Sequence, residues 1–187
     1  QNDLSSTEQR TIMTNIYEDS NWLLNMVENL LSVTRIQGDS LSINTTEEPV
    51  EEVVGEALEK LKKRYPDAAI RVKIPEEFLM IPMDAVLIEQ VTINLLENAI
   101  QASVKTAPAR RKINVEVYPH HNHLLLIHVE NTFDGKIQQK NNIFQSSKHS
   151  GNGIGIESVR HITDKNGGAC DFTYKDGIFS AKIMLRI

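Results

Sequence analysis

The stretch INVEVYPHHNHLLLIHV, residues 113–129, alternates apolar and polar side chains, breaks at a histidine-rich tip, and resumes an apolar run. Ile113, Val115 and Val117 read as one arm of a hairpin, and Leu125, Ile127 and Val129 as the other. A second hairpin closes the chain, from Ala169 to Tyr174 and from Ile178 to Leu185. It turns at Asp176-Gly177, a dipeptide suited to a tight two-residue turn. Working outward, Ile154 to Lys165 reads as a helix closing at Gly167-Gly168. Asp84 caps another that runs to about Ser103, with Ile88, Val91, Leu95 and Ala99 on one face. Val50 to Arg64 is a third helix, with Pro49 at its first turn and Pro66 as its stop. Short strands are expected at 41–44, at Ile70, Val72 and Ile74, and from Phe78 to Ile81, the last ended by Pro82. After a long first helix the order is β-α-β-β-α-β-β-α-β-β. Strands that arrive as hairpins make a mixed, mostly antiparallel sheet, and the helices can cover only one face of it. The fold class expected is α+β: a two-layer α/β sandwich preceded by a long helix, and not a doubly wound fold.

The long helix spans 1–37. Ser5 and Glu8 stand at capping-box spacing. Ile12, Ile16, Leu23, Val27 and Leu30 then recur at steps of 4, 7, 4 and 3. Leu24, Met26 and Leu31 widen this stripe, which favours a multi-helix bundle over a two-stranded coil; an ordinary core helix is the plainer alternative. Gly38 ends it. A linker around Gln37 to Ser40 separates it from a second unit at 41–187.

Composition narrows the function. Twenty Lys and Arg stand against 25 Asp and Glu, a net charge of −5 over 187 residues, which argues against a nucleic-acid binder working through bulk charge. A single cysteine, Cys170, excludes an internal disulfide framework and a cysteine-built zinc cage. No apolar run approaches the roughly 18–20 residues that span a bilayer, and no signal-like segment opens the chain. With Gln1 at its start, the chain is expected to be a piece of a longer protein, soluble and in a reducing, cytosolic setting.

Two local signals carry chemistry. Ser150-Gly151-Asn152-Gly153-Ile154-Gly155-Ile156 runs straight into a helix. Its three alternating glycines let backbone amides crowd toward an anion where the helix dipole is positive. Glycine-rich turns also exist simply to turn, and this one is neither a Walker loop nor a dinucleotide fingerprint. The second is Asn94-Leu95-Leu96-Glu97-Asn98-Ala99. Asn94 and Asn98 share a helix face beside Val91 and Leu95, where hydrated Mg²⁺ carrying nucleotide phosphates would satisfy both amides. Alternatively, both are surface amides at the edge of the apolar stripe. A third cluster, His120, His121 and His123, reads as solvated turn residues at the hairpin tip before it reads as a metal site.

Taken together, the two signals resemble the ATP-binding catalytic domain of sensor histidine kinases, in the superfamily that includes gyrase, MutL and the heat-shock chaperone ATPases. Asn94 to Asn98 is similar to that family's N box, Gly151 to Gly155 to its second glycine box, and the segment from Ile127 to Asn131 to the start of its first. Residues 17–35 are similar to the second dimerisation helix of Kdp-type potassium-responsive kinases, and residues 132–187 look closer to Agr-type kinases.

The resemblance covers nearly the whole chain and implies the Bergerat two-layer fold. It implies ATP and Mg²⁺ as ligands, with contacts from Asn94, Asn98, Gln101, Asn131, Gly135, Lys148, Gly151, Gly153, Ile154 and Gly155. Asn98 would ligate the metal, and Asn94 would meet phosphate or metal-bound water. Glu97 would move a proton or orient water, unless it is an exposed helical Glu. A response regulator and a second copy of the chain, joined through the long helix, are the implied partners, as the cytoplasmic part of a membrane-anchored bacterial sensor.

Departures stand out. Asn131 replaces the family's adenine-binding Asp, Phe133 its first box glycine, and Gln101 a basic residue for which Lys148 or Arg160 would substitute. None of the six histidines lies on the long helix, so the phosphoacceptor His is absent. Two rival readings remain: a degenerate nucleotide-binding regulatory module with little catalysis, and an ATPase of the gyrase or chaperone type. Asn94, standing where that last class has its Glu base, ranks it lowest.

Overall fold

The computed structural model describes residues 5–37, 45–76, 78–120, 124–137, 139–140, 143–144 and 154–186. The first helix, α1, runs Ser6–Gln37. Its start is the expected reciprocal box: the Ser5 amide donates to Glu8 Oε2 at 2.9 Å and the Glu8 amide to Ser5 Oγ at 3.3 Å. Then follow β1 (Thr46–Pro49), α2 (Val50–Arg64), β2 (Ile70–Lys73), β3 (Met80–Met83), α3 (Ala85–Ser103), β4 (Ile113–His120), β5 (Leu124–Thr132), β6 (Gln139–Lys140), β7 (Ile143–Phe144), α4 (Ile154–Lys165), β8 (Ala169–Lys175) and β9 (Ile178–Arg186).

Five strands make the main sheet in the order β2-β4-β5-β9-β8. Only β2 runs parallel to its neighbour; the β4–β5, β5–β9 and β8–β9 pairs are antiparallel. Strand alternation divides the two faces. Val115, Val129 and Ala181 share one row, Val117, Ile127 and Ile183 another, and all are buried. The opposite face carries Glu116, His128 and Lys182 in register. Helices therefore cover one face, as a two-layer sandwich requires.

Helix α3 is the middle of the helical layer, packed against α2, α4 and β5. Its expected face, Ile88, Val91, Leu95 and Ala99, is buried, and so are Leu87, Leu96 and Ile100, because neighbours press on it from several sides. Each of these Val, Leu and Ile side chains contributes roughly 1.5–3 kcal/mol. Asp84 caps α3 through Oδ1, which accepts from the Leu87 amide at 3.2 Å. A tight backbone approach comes just before β8, after the end of α4. A Cβ on Gly168 would lie 2.2 Å from the Met184 carbonyl oxygen, so only glycine fits.

Two details of the sequence reading change. Pro49 is the last residue of β1 and the N-cap position of α2, not a residue of its first turn. The third strand is Met80–Met83, with Pro82 inside it opposite Glu47. Among the described residues it pairs with β1 alone, apart from the main sheet, and a two-stranded ribbon has an open side for a residue without an N–H. The strand expected at 41–44 lies outside the described residues, and so does Gly38.

Candidate functional site

Burial sorts the four candidate side chains of α3. Asn94 is buried, and its Oδ1 accepts from Gln90 Nε2 at 3.3 Å. Asn98, one turn on, is exposed. Its amide lies against the first turn of α4, where a Cβ on Gly155 would come within 3.0 Å of Asn98 Nδ2. Asn98 and Gly155, the last glycine of the run, far apart in sequence, thus meet in space. Ile154 is the first residue of α4, among amides that have no partner within the helix and a dipole that favours an anion. Lys148, Gly151 and Gly153 lie outside the described residues.

Asn131 sits near the end of β5 on the helix-facing side, continuing the row of Ile127 and Val129, and is buried. Its Nδ2 donates to the Thr132 carbonyl at 3.0 Å, which leaves Oδ1 as the acceptor end of the amide. Phe133 is buried, and its amide donates to the Gly177 carbonyl at 3.0 Å. That bond is made by the backbone and ties this position, where the resemblance expects glycine, to the β8–β9 turn whatever its side chain. Two residues on, Gly135 takes φ +81° in a turn where the Lys136 amide donates to Asp134 Oδ1 at 3.1 Å.

Glu97 is not an exposed helical Glu. It is 6% exposed, and its Oε1 lies 2.5 Å from Arg64 Nη1 at the end of α2. The next residue of α2's end, Tyr65, meets Gln101: Gln101 Nε2 approaches the Tyr65 hydroxyl at a long 3.5 Å. Burial first, and then the charge of Glu97, push the Tyr65 phenol above its usual pKa, against opposing contributions from Gln101 and Arg64. Arg64 and Tyr65 escaped the sequence reading. In sequence Arg64 is only the third of three basic residues, Lys62, Lys63 and Arg64, that favour a helix C-terminus. Arg160, the described one of the two residues expected to replace a basic side chain at Gln101, packs on the sheet. Its guanidinium lies over the Phe172 ring of β8 at 4.9 Å, with Glu157 at 3.9 Å.

This combination of a one-sided sandwich, an asparagine pair on its central helix and a first turn of α4 whose Gly155 lies against Asn98 defines a class. The GHKL domain matches residues 83–186, and the chain belongs to that family. It is 31% identical over 183 residues to the sensor protein KdpD of Clostridium acetobutylicum, covering 92% of this chain and 20% of that protein. To KdpD of Escherichia coli it is 34% identical over 150 residues, covering 76% of this chain and 16% of that one. The chain spans about one fifth of the length of these curated relatives.

Among solved structures, the Acinetobacter baumannii histidine kinase AdeS matches with a TM-score of 0.69 at 17% identity, over 98% of this chain and 86% of that one. The histidine kinase ThkA, solved in complex with the response regulator TrrA, matches with a TM-score of 0.73 at 17% identity, over 100% of this chain and 53% of that one. Likeness at these identities speaks to the fold. No helix among the described residues is long and apolar enough to cross a membrane.

Proposed function

We propose that this chain binds ATP with Mg²⁺ between α3 and the start of α4 and transfers the γ-phosphoryl group to a histidine on a dimerisation helix outside residues 1–187. The observation that carries the reading is Asn98 set against Gly155, an exposed amide facing a helix N-terminus that has no Cβ in the way. The residues present fit the metal: Asn98 offers an oxygen ligand, and Mg²⁺ keeps several waters and needs few protein ligands. When bound there, Mg²⁺ supplies neutralisation of phosphate charge. Asn94, one turn earlier, receives phosphate or metal-bound water, and the α4 amides from Ile154 receive phosphate oxygens. Asn131 offers Oδ1 to the adenine amino group, a neutral acceptor where the family has a charged one.

On this reading residues 1–37 are the second helix of a dimerisation unit, 41–187 are the catalytic unit, and a response regulator receives the phosphoryl group. Phosphoryl transfer rests on positioning and charge stabilisation, and the site supplies both.

The test mixes this chain with an acceptor-helix segment from the same parent protein and labelled ATP. Acid-labile, alkali-stable label should appear on the acceptor. Asn98→Ala should weaken ATP binding much more with Mg²⁺ than without it; equal losses would show Asn98 to be structural. Tight ATP binding with no transfer would favour the regulatory-module reading.

A further inference from the structure

Glu97 occupies an unusual place for an acidic residue. Helical geometry sets it roughly 60° around α3 from Asn94 and about 100° from Asn98, yet it is 6% exposed while Asn98 is open. An uncompensated carboxylate about one helical turn from bound polyphosphate would weaken that ligand by roughly tenfold or more at the effective dielectric of a protein surface. Arg64 meets it at 2.5 Å, with the Arg64 side chain 26% exposed and the Glu97 side chain 8% exposed. The base from which Arg64 reaches is firm: it is the last residue of α2, and the following Tyr65 amide donates to the Leu61 carbonyl at 2.7 Å. Tyr65 then approaches Gln101, one turn beyond Glu97. Two consecutive residues of α2's end therefore hold two successive turns of α3, the helix that presents both asparagines.

We infer that Arg64 is a positioning residue of the nucleotide site: by pairing with Glu97 it cancels a buried negative charge beside the phosphate-binding face and makes Glu97 a counterion instead of a proton acceptor. This rests on the function proposed above and names the charge balance of that same site.

The test is a double-substitution cycle read with two ligands. ATP is titrated by calorimetry and adenosine by chemical-shift changes, for wild type, Arg64→Met, Glu97→Gln and the double variant. Arg64→Met should weaken ATP about tenfold and leave adenosine unchanged, because adenosine carries no phosphate. Glu97→Gln leaves the Arg64 charge uncancelled, so it should bind ATP at least as tightly as wild type and still transfer phosphoryl groups. The double variant should recover ATP affinity to within about threefold of wild type.

Equal losses of ATP and adenosine in Arg64→Met, without recovery in the double variant, would make Arg64 merely structural and overturn the inference. So would Glu97→Gln that binds ATP but transfers nothing, since Glu97 would then act in the chemistry. Should Arg64→Met fail to fold, Arg64→Lys keeps the charge. It must retain ATP binding within about threefold if charge is what matters, and a larger loss overturns the inference. Wild type that binds no ATP would defeat the nucleotide reading itself, a result distinct from any of these.

Discussion

Helices α1 and α3 make the same demand and meet different answers. Each opens with a side-chain cap, Ser5 with Glu8 in one and Asp84 in the other. Each carries an apolar stripe at helical spacing. On α3 the stripe is buried from Ile88 to Ala99 by α2, α4 and β5. On α1, which runs beside α4, Ile12, Ile16, Leu23 and Val27 remain 42–56% exposed. An apolar stripe therefore states that a helix needs a partner, and does not say whether that partner is in the same chain. The difference also separates what holds each helix: tertiary packing for α3, and local caps and backbone hydrogen bonds for the exposed stretch of α1.

The sharpest way to break this contrast is a pair of truncations read by urea denaturation. Leu96→Ala, at a fully buried position of α3, should cost about 2–5 kcal/mol. Ile16→Ala on α1 should move the same transition by less than about 0.5 kcal/mol. Comparable losses would mean that α1 is part of the cooperative core. A smaller effect is expected where α4 meets β9. Gly168→Ala forces a Cβ toward the Met184 carbonyl, and the shift needed should cost about 1–3 kcal/mol, seen as a lower denaturation midpoint with an unchanged slope.

The caps sharpen the contrast further. Asp84→Ala should cost the whole sandwich about 1 kcal/mol, whereas Ser5→Ala should leave its midpoint in place and fray only the start of α1. A pH titration reports on the same cap. Hydrogen bonds from the Ser5 side chain and then its backbone hold Glu8 below the ordinary Glu pKa. Its contribution is thus present above the unfolded value and is lost as pH falls through the lowered one. Backbone chemical shifts of residues 5–8 should lose helical character on acidification in wild type. In Ser5→Ala they should already be shifted at neutral pH; identical profiles would remove the cap from the account.

Much of the architecture was legible in sequence because its signals are local. Val50–Arg64 is framed by Pro49 and Pro66, and both ends fell where those prolines put them. The final hairpin turns at Asp176 and Gly177, with φ of 52° and 76°, conformations that this dipeptide tolerates. The candidate asparagines of α3 and the glycines ahead of α4 were visible as spacing alone. The inclusion of Pro82 in a strand was not, since it depends on β3 pairing with β1.

What the sequence determined by itself was where most helices, strands and turns form and which residues are candidates for phosphate and metal, because those preferences act between residues no more than about four apart on a helix or two apart on a strand. Only the tertiary structure decided which of them meet. Asn98 lies against Gly155, Glu97 is taken by Arg64, Gln101 turns toward Tyr65, and Arg160 stacks on Phe172. Each of these contacts joins two different elements, and its existence follows from how α2, α4 and the sheet crowd around α3 to bury apolar surface, a global balance that no single stretch of sequence encodes.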